Sequence, residues 1–275
     1  MLKLMYITNN TDVARIAEAN GVARIFVDME YIGKNIRQGG MDTVQNHHTI
    51  ADVKRMRQAI KYAELLVRCN PIHEKTEAYS ASEEEIDEIV KAGADVIMLP
   101  YFKTVEEVKY FLGCVDRRTK TMLLVETPEA VACIDEILAL DGIDEVFIGL
   151  NDLSLGYGKK FMFELLADGT VENLCVKFRQ KGIPYGFGGI AALGKGMLPS
   201  QYVIKEHYRL GSSCVILSRS FWKANLEEDL DAVNATFVNG LREIKDFEKQ
   251  CEQHVFDFVE SRNELLRIVE EIAGR

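Results

Sequence analysis

The stretch Thr121–Leu153, TMLLVETPEAVACIDEILALDGIDEVFIGLNDL, decides the fold. It opens on a short apolar run from Thr121 to Glu126 that ends against a polar turn, which reads as a strand. Pro128 then stands at the first turn of a helix running toward Leu140, where proline's missing N–H costs nothing. That helix stops at Asp141-Gly142, and a second apolar run, Glu145–Gly149, follows. Runs without obvious alternation, separated by a helix, are the pattern of parallel strands covered on both faces.

Outward from this segment the same unit recurs about eight times along the chain. The other expected strands are Leu4–Ile7, Arg24–Asp28, Glu64–Arg68, Val96–Pro100, Pro184–Gly188 and Cys214–Ser218. Between them, Ser82-Glu83-Glu84-Glu85 resembles a capping box whose helix stops at Ala92-Gly93-Ala94, and Thr104 with Glu106 and Glu107 opens another. The repetition predicts an α/β protein: a (β/α)₈ TIM barrel over residues 1–225, a size at which such barrels form one domain. After Trp222 the pattern becomes helical from Leu226 to Ile272, with no proline and a single glycine, Gly240. That is too long for one barrel helix. Residues 226–275 therefore read as a C-terminal helical extension, broken near Asn239-Gly240 or continuous as an arm, packing on the barrel or on a neighbouring subunit of a homo-oligomer.

The composition, 47% hydrophobic and 28% charged, is that of a globular protein with a sizeable core. A net charge of −10 and a pI near 5.2 leave no basic stripe for a nucleic-acid backbone, so an anionic ligand must be held locally, by a few arginines or a metal. The six cysteines (Cys69, Cys114, Cys133, Cys175, Cys214, Cys251) form no CxxC pair and sit largely in apolar runs, as reduced thiols of a cytoplasmic protein do. MLKLMYITNNTD lacks the features of a secretory signal, and no window approaches the apolar length of a membrane span.

In a parallel barrel the residues that end strands meet at one rim, and chemistry collects there. The expected strand ends are Asp28-Met29-Glu30, Arg68-Cys69-Asn70, Pro100-Tyr101-Phe102-Lys103, Glu126-Thr127, Asn151-Asp152, Gly188-Gly189 and Ser218-Arg219-Ser220. Glu126 and Asp152 come from neighbouring strands and form a pair of hard oxygen donors suited to Mg²⁺ or Mn²⁺, with other divalent ions open. Taken singly, either acid reads as readily as a helix N-cap or a rim ion pair. None of the five histidines has a second ligand at zinc spacing, and His47-His48 would point apart on a helix.

The segments LVETPEAV (Leu124–Val131), IDEI (Ile134–Ile137) and FIGLNDLS (Phe147–Ser154), together with FVDME (Phe26–Glu30), VRCN (Val67–Asn70) and GADVIMLP (Gly93–Pro100), resemble the HpcH/HpaI aldolase and citrate lyase β-subunit family, in the same order, from about residue 20 to 160. The resemblance implies barrel enzymes in which a 2-oxo acid chelates a divalent ion and carbon–carbon bonds are made or broken through a metal-bound enolate. It implies that Glu126 and Asp152 bind the metal, that Arg68 hydrogen-bonds the keto or enolate oxygen, and that backbone amides around Gly149, Asn151 and Asp152 hold the substrate carboxylate. A metal and a guanidinium aimed at one oxygen would stabilise the charge that develops there. The sequence departs from the family at one place: where many members carry Asp-x-Glu-His, this chain has Tyr31. A phenol is a poor base near neutral pH. Asp28, Glu30 or a metal-bound water then moves the proton, or the reaction differs; alternatively Tyr31 packs on the rim.

The glycine-rich stretch Gly186–Gly196 and the end of the eighth strand suggest a phosphate or second-carboxylate site built from Gly188, Gly189, Ser218 and Arg219, unless the glycines are only tight turns. Arg37 is a further cation, or a solvated loop residue. The expected activity is a metal-dependent lyase or aldolase for a 2-oxo acid such as pyruvate or oxaloacetate, with an aldehyde or phosphorylated compound as co-substrate. A malyl- or citryl-CoA type lyase is the rival enzyme, weakened by the lack of a basic segment for a nucleotide 3′-phosphate. A catalytically silent barrel serving binding or assembly is the other rival, suggested by Tyr31 and the acidic tail.

Overall fold

The computed structural model describes residues 1–34, 47–218, 221 and 229–274. Eight parallel strands close into a barrel in sequential order. They are β1 (Lys3–Ile7), β2 (Arg24–Asp28), β3 (Glu64–Arg68), β4 (Val96–Leu99), β5 (Lys120–Val125), β6 (Glu145–Ile148), β7 (Tyr185–Ile190) and β8 (Cys214–Leu217). The expected (β/α)₈ fold is the fold observed. Strand limits agree with the sequence reading to one residue except in β7, which runs two residues further, to Ile190, through a register shift between Gly186 and Gly189.

The helices that cover the strands are α1 (Thr11–Ala19), α2 (Ile50–Ala59), α3 (Ser82–Lys91), α4 (Val105–Val115), α5 (Pro128–Ala132), α6 (Ile134–Ile137), α7 (Leu150–Gly156), α8 (Glu164–Ala167), α9 (Thr170–Gln180) and α10 (Ser200–Leu210). Thr104 and Glu107 form the capping box that opens α4. The box expected at Ser82 is absent: the Ser82 hydroxyl meets the His73 ring and Glu85 turns to Asn70. The single helix expected after Pro128 is divided at Cys133 into α5 and α6.

Alternation along the strands sorts the barrel interior into layers. At the amino-terminal end, Arg24 of β2 is wholly buried and bridges Glu64 at 2.6 Å and Glu145 at 2.7 Å. Above it Met5, Phe26, Leu66, Met122, Leu124 and Phe147 fill the middle. Two residues further along β2, β3 and β5 come Asp28, Arg68 and Glu126, so the same period that places the plug places the polar groups of the opposite rim.

The tail does not break at Gly240. Helix α11 (Leu230–Glu252) runs through it, and α12 (Phe258–Ala273) follows a turn capped by Asp257. A Cβ on Gly240 would stand 2.7 Å from the Phe221 ring, so the small residue serves close packing inside the helix. Phe237 of α11 meets Tyr6 edge-on, and Arg262 of α12 donates to the Leu166 carbonyl at 2.7 Å, so both helices lie against the barrel's own outer layer.

Candidate active site

The rim at the carboxyl end of the strands begins with Asp28, which pairs in register with Arg68 on the next strand. Arg68 donates Nε–H and one Nη–H to the two oxygens of the Asp28 carboxylate at 2.8 Å each, a bidentate pair. Its other terminal nitrogen lies 3.2 Å from Glu30, and its guanidinium rests 5.6 Å from the centroid of the Phe26 ring in the layer beneath. Burial works against the Arg68 charge, but Asp28 and Glu30 more than offset it and hold the guanidinium protonated far above its usual range. The Lys34 ammonium completes the cluster, 3.0 Å from Asp28 and 3.4 Å from Glu30.

Glu126 follows β5 and is almost completely buried. The Tyr101 backbone N–H donates to its Oε1 at 3.0 Å, and Tyr101 takes a left-handed φ of 49° to present that amide. Opposite stands Gly149, where a Cβ would come within 2.6 Å of Glu126 Oε2; only glycine leaves the carboxylate its place. Gly149 also opens α7, whose first turn carries Asn151 and Asp152. First-turn amides are not engaged by a helix's own ladder, which suits them to an anion.

A cavity of about 260 Å³ brings most of these groups together. Asp28, Lys34, Arg68, Glu126 and Asp152 are its charged walls, with Gly149, Asn151, Gly188 and Gly189 beside them. A second hollow of about 450 Å³, lined by Tyr101, Lys103, Glu129 and Leu155, shares Glu126 and Asp152 with the first. A larger groove of about 870 Å³ around Lys109, Arg117 and Asp144 lies at the amino-terminal end of the strands, the rim opposite Asp28, Arg68 and Glu126.

Other residues singled out in the sequence are placed differently from what was expected. Glu30 supports the cluster without lining the cavity. Tyr31 packs its ring on Tyr79, 5.2 Å between centroids, and its backbone N–H donates to Asn70, which Glu85 holds in turn. Burial and the nearby Glu85 push the Tyr31 phenol above its usual value, making it a poorer base still. Gly188 and Gly189 belong to strand β7 rather than to a loop, and Gly188 takes a left-handed φ of 55° at the irregularity in that strand. The Ser218 N–H donates to Ile190. Arg219 and Arg37 lie outside the described residues.

Sequence reasoning missed Lys34 and His48. Lys34 had a signal, its place four residues after Glu30 beyond a glycine. His48 precedes α2 instead of lying on a helix, and its Nδ1 accepts the Asp28 backbone N–H at 3.0 Å; burial pushes its pKa below the usual value.

A divalent ion suits the Glu126 and Asp152 end of the cavity. The donors are hard oxygens, and the missing Cβ at Gly149 makes the cradle in which Glu126 stands. Among the described residues no group of three or more His, Cys, Asp or Glu is arranged for a metal, so remaining positions would fall to water and substrate. No described helix is long and apolar enough to cross a membrane.

Two curated proteins, each named hydroxypyruvate/pyruvate aldolase, are similar over part of the chain: one from Rhizorhabdus wittichii at 46% identity over 54 residues, and one from Sagittula stellata at 29% over 103 residues. The matches take in 18% and 27% of this chain and span only 22% and 41% of those relatives. The crystal structure of an HpcH/HpaI aldolase from Desulfitobacterium hafniense superimposes with a TM-score of 0.58 at 18% identity, covering 89% of this chain and 93% of the other, a likeness of fold. The model of the HpcH/HpaI aldolase/citrate lyase family matches residues 4–164, more than half of the chain, and the protein belongs to that family.

Proposed function

We propose that this barrel is a divalent-metal-dependent carbon–carbon lyase, or aldolase, acting on a 2-oxo acid of the pyruvate or oxaloacetate type through an enolate. The observation that carries the reading is the convergence of Glu126, Asp152 and Arg68 on one small cavity. Glu126 and Asp152 would hold Mg²⁺ or Mn²⁺, which when bound would draw charge from the keto and carboxylate oxygens.

The chain's own groups do the rest. Arg68 is held by Asp28 and Glu30 through three of its nitrogens and would give its remaining N–H donors to the enolate oxygen, a fixed donor where negative charge develops. The first turn of α7 receives the substrate carboxylate. Gly188 and Gly189, with Ser218 and Arg219, would take a phosphate or second carboxylate of the larger reactant, and the hollow beside Tyr101 and Lys103 gives an aldehyde room on the far side of Glu126. The names of the curated relatives and the family both favour this over a silent barrel, and the small cavity favours it over an acyl-CoA substrate.

The test is Mn²⁺ titration of the wild-type protein and of Glu126→Gln, with exchange of pyruvate methyl protons in D₂O as the readout of enolisation. Exchange is expected only with metal, and the variant is expected to lose Mn²⁺ binding. Undiminished affinity in Glu126→Gln sinks the ligand assignment, and no exchange in the metal-loaded wild type sinks the enolate reading.

A further inference from the structure

The small cavity beside Glu126 and Asp152 has a fixed apolar floor and one adjustable wall. Ile7, Phe26, Met98, Leu124, Phe147 and Ile216 line it from six strands and pack together inside the barrel. The closed sheet holds them in place. Outside the strands, the apolar lining among the described residues is Leu150, buried at the start of α7, and Met162, half-buried in the segment between α7 and α8. Methionine is unbranched and fills the gap that its backbone is held beside. Whatever holds the backbone at Met162 therefore sets how much room the cavity has.

That support runs out to the tail. The Glu164 carboxylate accepts the Lys160 and Phe161 N–H groups at 2.9 and 2.8 Å, and the Leu165 N–H donates to the Met162 carbonyl at 3.4 Å, so Met162 is tied into the opening of α8. Helix α8 is a single turn, too short to be stable by itself, and its last carbonyls need outside donors. Arg262 of α12 supplies them, donating to Leu166 at 2.7 Å and to Ala167 at 3.3 Å. Glu206 of α10, almost completely buried, aims Arg262 from 3.2 Å and is gripped in turn by Arg209 at 2.8 Å.

We propose that Met162 sets the size of the 2-oxo acid that the cavity accepts and that the C-terminal helix α12 holds it there through Arg262, an inference that rests on the enolate reading above. An alkyl chain extended from C3 of the donor cannot displace the floor, which is barrel core, and meets Met162 instead. Arg262 is a positioning residue that acts through α8. Lysine in its place keeps the charge but not the fork that reaches two carbonyls.

The experiment measures C3 proton exchange in D₂O with Mn²⁺ for pyruvate, 2-oxobutanoate and 2-oxopentanoate, using the wild type, Met162→Ala, Arg262→Ala and Arg262→Lys, alongside Mn²⁺ affinity. In the wild type kcat/KM is expected to fall roughly 10-fold or more from pyruvate to 2-oxopentanoate, and Met162→Ala is expected to recover most of that ratio through KM, the usual worth of a methylene or two in an apolar pocket. Arg262→Ala should move the ratio the same way by less, with Arg262→Lys between it and the wild type, and Mn²⁺ affinity should stay unchanged throughout. A tail that only stabilises the fold would scale the exchange of all three acids alike. Should Arg262→Ala fail to fold, Arg262→Lys decides the tail's part. A wild-type ratio in Met162→Ala overturns the inference and leaves the enolate reading standing. A shifted ratio in Met162→Ala with none in either Arg262 variant overturns the role of α12. Absence of pyruvate exchange in the metal-loaded wild type overturns both readings.

Discussion

Replacing Gly149 with alanine tests the geometry of the metal site without touching a proposed ligand. The backbone there, φ −82° and ψ 88°, is open to alanine, so no conformational strain enters. The cost lies in space: the new methyl would stand 2.6 Å from Glu126 Oε2, 2.8 Å from Glu126 Cβ and 3.2 Å from Leu124 Cδ1. Carbon contacts settle at roughly 3.5–4.0 Å, so Glu126 must retreat by the better part of an ångström and give up the Tyr101 amide. Overpacking of this kind costs about 1–3 kcal/mol of stability. Disturbing what positions a ligand lowers metal affinity roughly 10- to 100-fold, or about 1.4 to 2.7 kcal/mol. Calorimetric titration with Mn²⁺ and a thermal melt separate the two effects. Gly189→Ala is the control, because its methyl would meet only the Ile216 carbonyl at 3.4 Å and should change neither. A folded Gly149→Ala protein with wild-type Mn²⁺ affinity would show that Glu126, as placed by β5 and Gly149, is not the ligand.

His207 is wholly buried on α10, stacked 3.8 Å from the Phe187 ring, with Nδ1 2.8 Å from the Ser212 hydroxyl. Burial lowers its pKa to about 3. The folded value lies below the unfolded one, so between pH 6.5 and 3 the unfolded chain takes up a proton that the folded chain refuses. This group therefore removes about 1.4 kcal/mol of stability per pH unit as pH falls through that window, and nothing further below it. His207→Phe should flatten the pH dependence of the urea midpoint over that range; an unchanged slope would refute the assignment. Tyr31→Phe should leave pyruvate exchange within about threefold of wild type, against the hundredfold or greater loss expected for a proton-transfer group. A large loss would return the phenol to the chemistry.

How legible the site was in the sequence depends on period. Strand positions could be read from apolar runs alone, because parallel strands are covered on both faces and their limits are marked by glycine, proline and acidic turns. Those same runs concealed a second pattern. Arg24-x-Phe26-x-Asp28, Glu64-x-Leu66-x-Arg68 and Lys120-x-Met122-x-Leu124-x-Glu126 alternate strictly, with a charge where each strand enters and another where it leaves. Treating the strands as unalternating hid the Arg24 plug, although Glu64 and Glu145 stand at equivalent strand starts. It also hid the reason Asp28, Arg68 and Glu126 face one another: they occupy the inward positions one or two steps above an apolar layer.

What period could not supply is the partner of each charge. Lys34 and His48 reach Asp28 from segments with neither strand nor helix period, where spacing carries no direction. Glu85 shows the opposite error: it sat three residues after Ser82, as a capping box requires, yet its carboxylate accepts from the Asn70 backbone and side chain at 3.1 and 3.0 Å and steadies the loop that carries Tyr31. A local rule and a long-range hydrogen bond competed for one carboxylate, and the buried amide of Asn70 prevailed, while the equally buried Ser82 backbone N–H donates to the His73 carbonyl instead. The same kind of competition acts at Tyr31, which the sequence left open between a part in the chemistry and packing on the rim. Its place in the sequence matched the family histidine, but Asn70 holds the Tyr31 backbone and the ring turns onto Tyr79, outside the lining of the cavity.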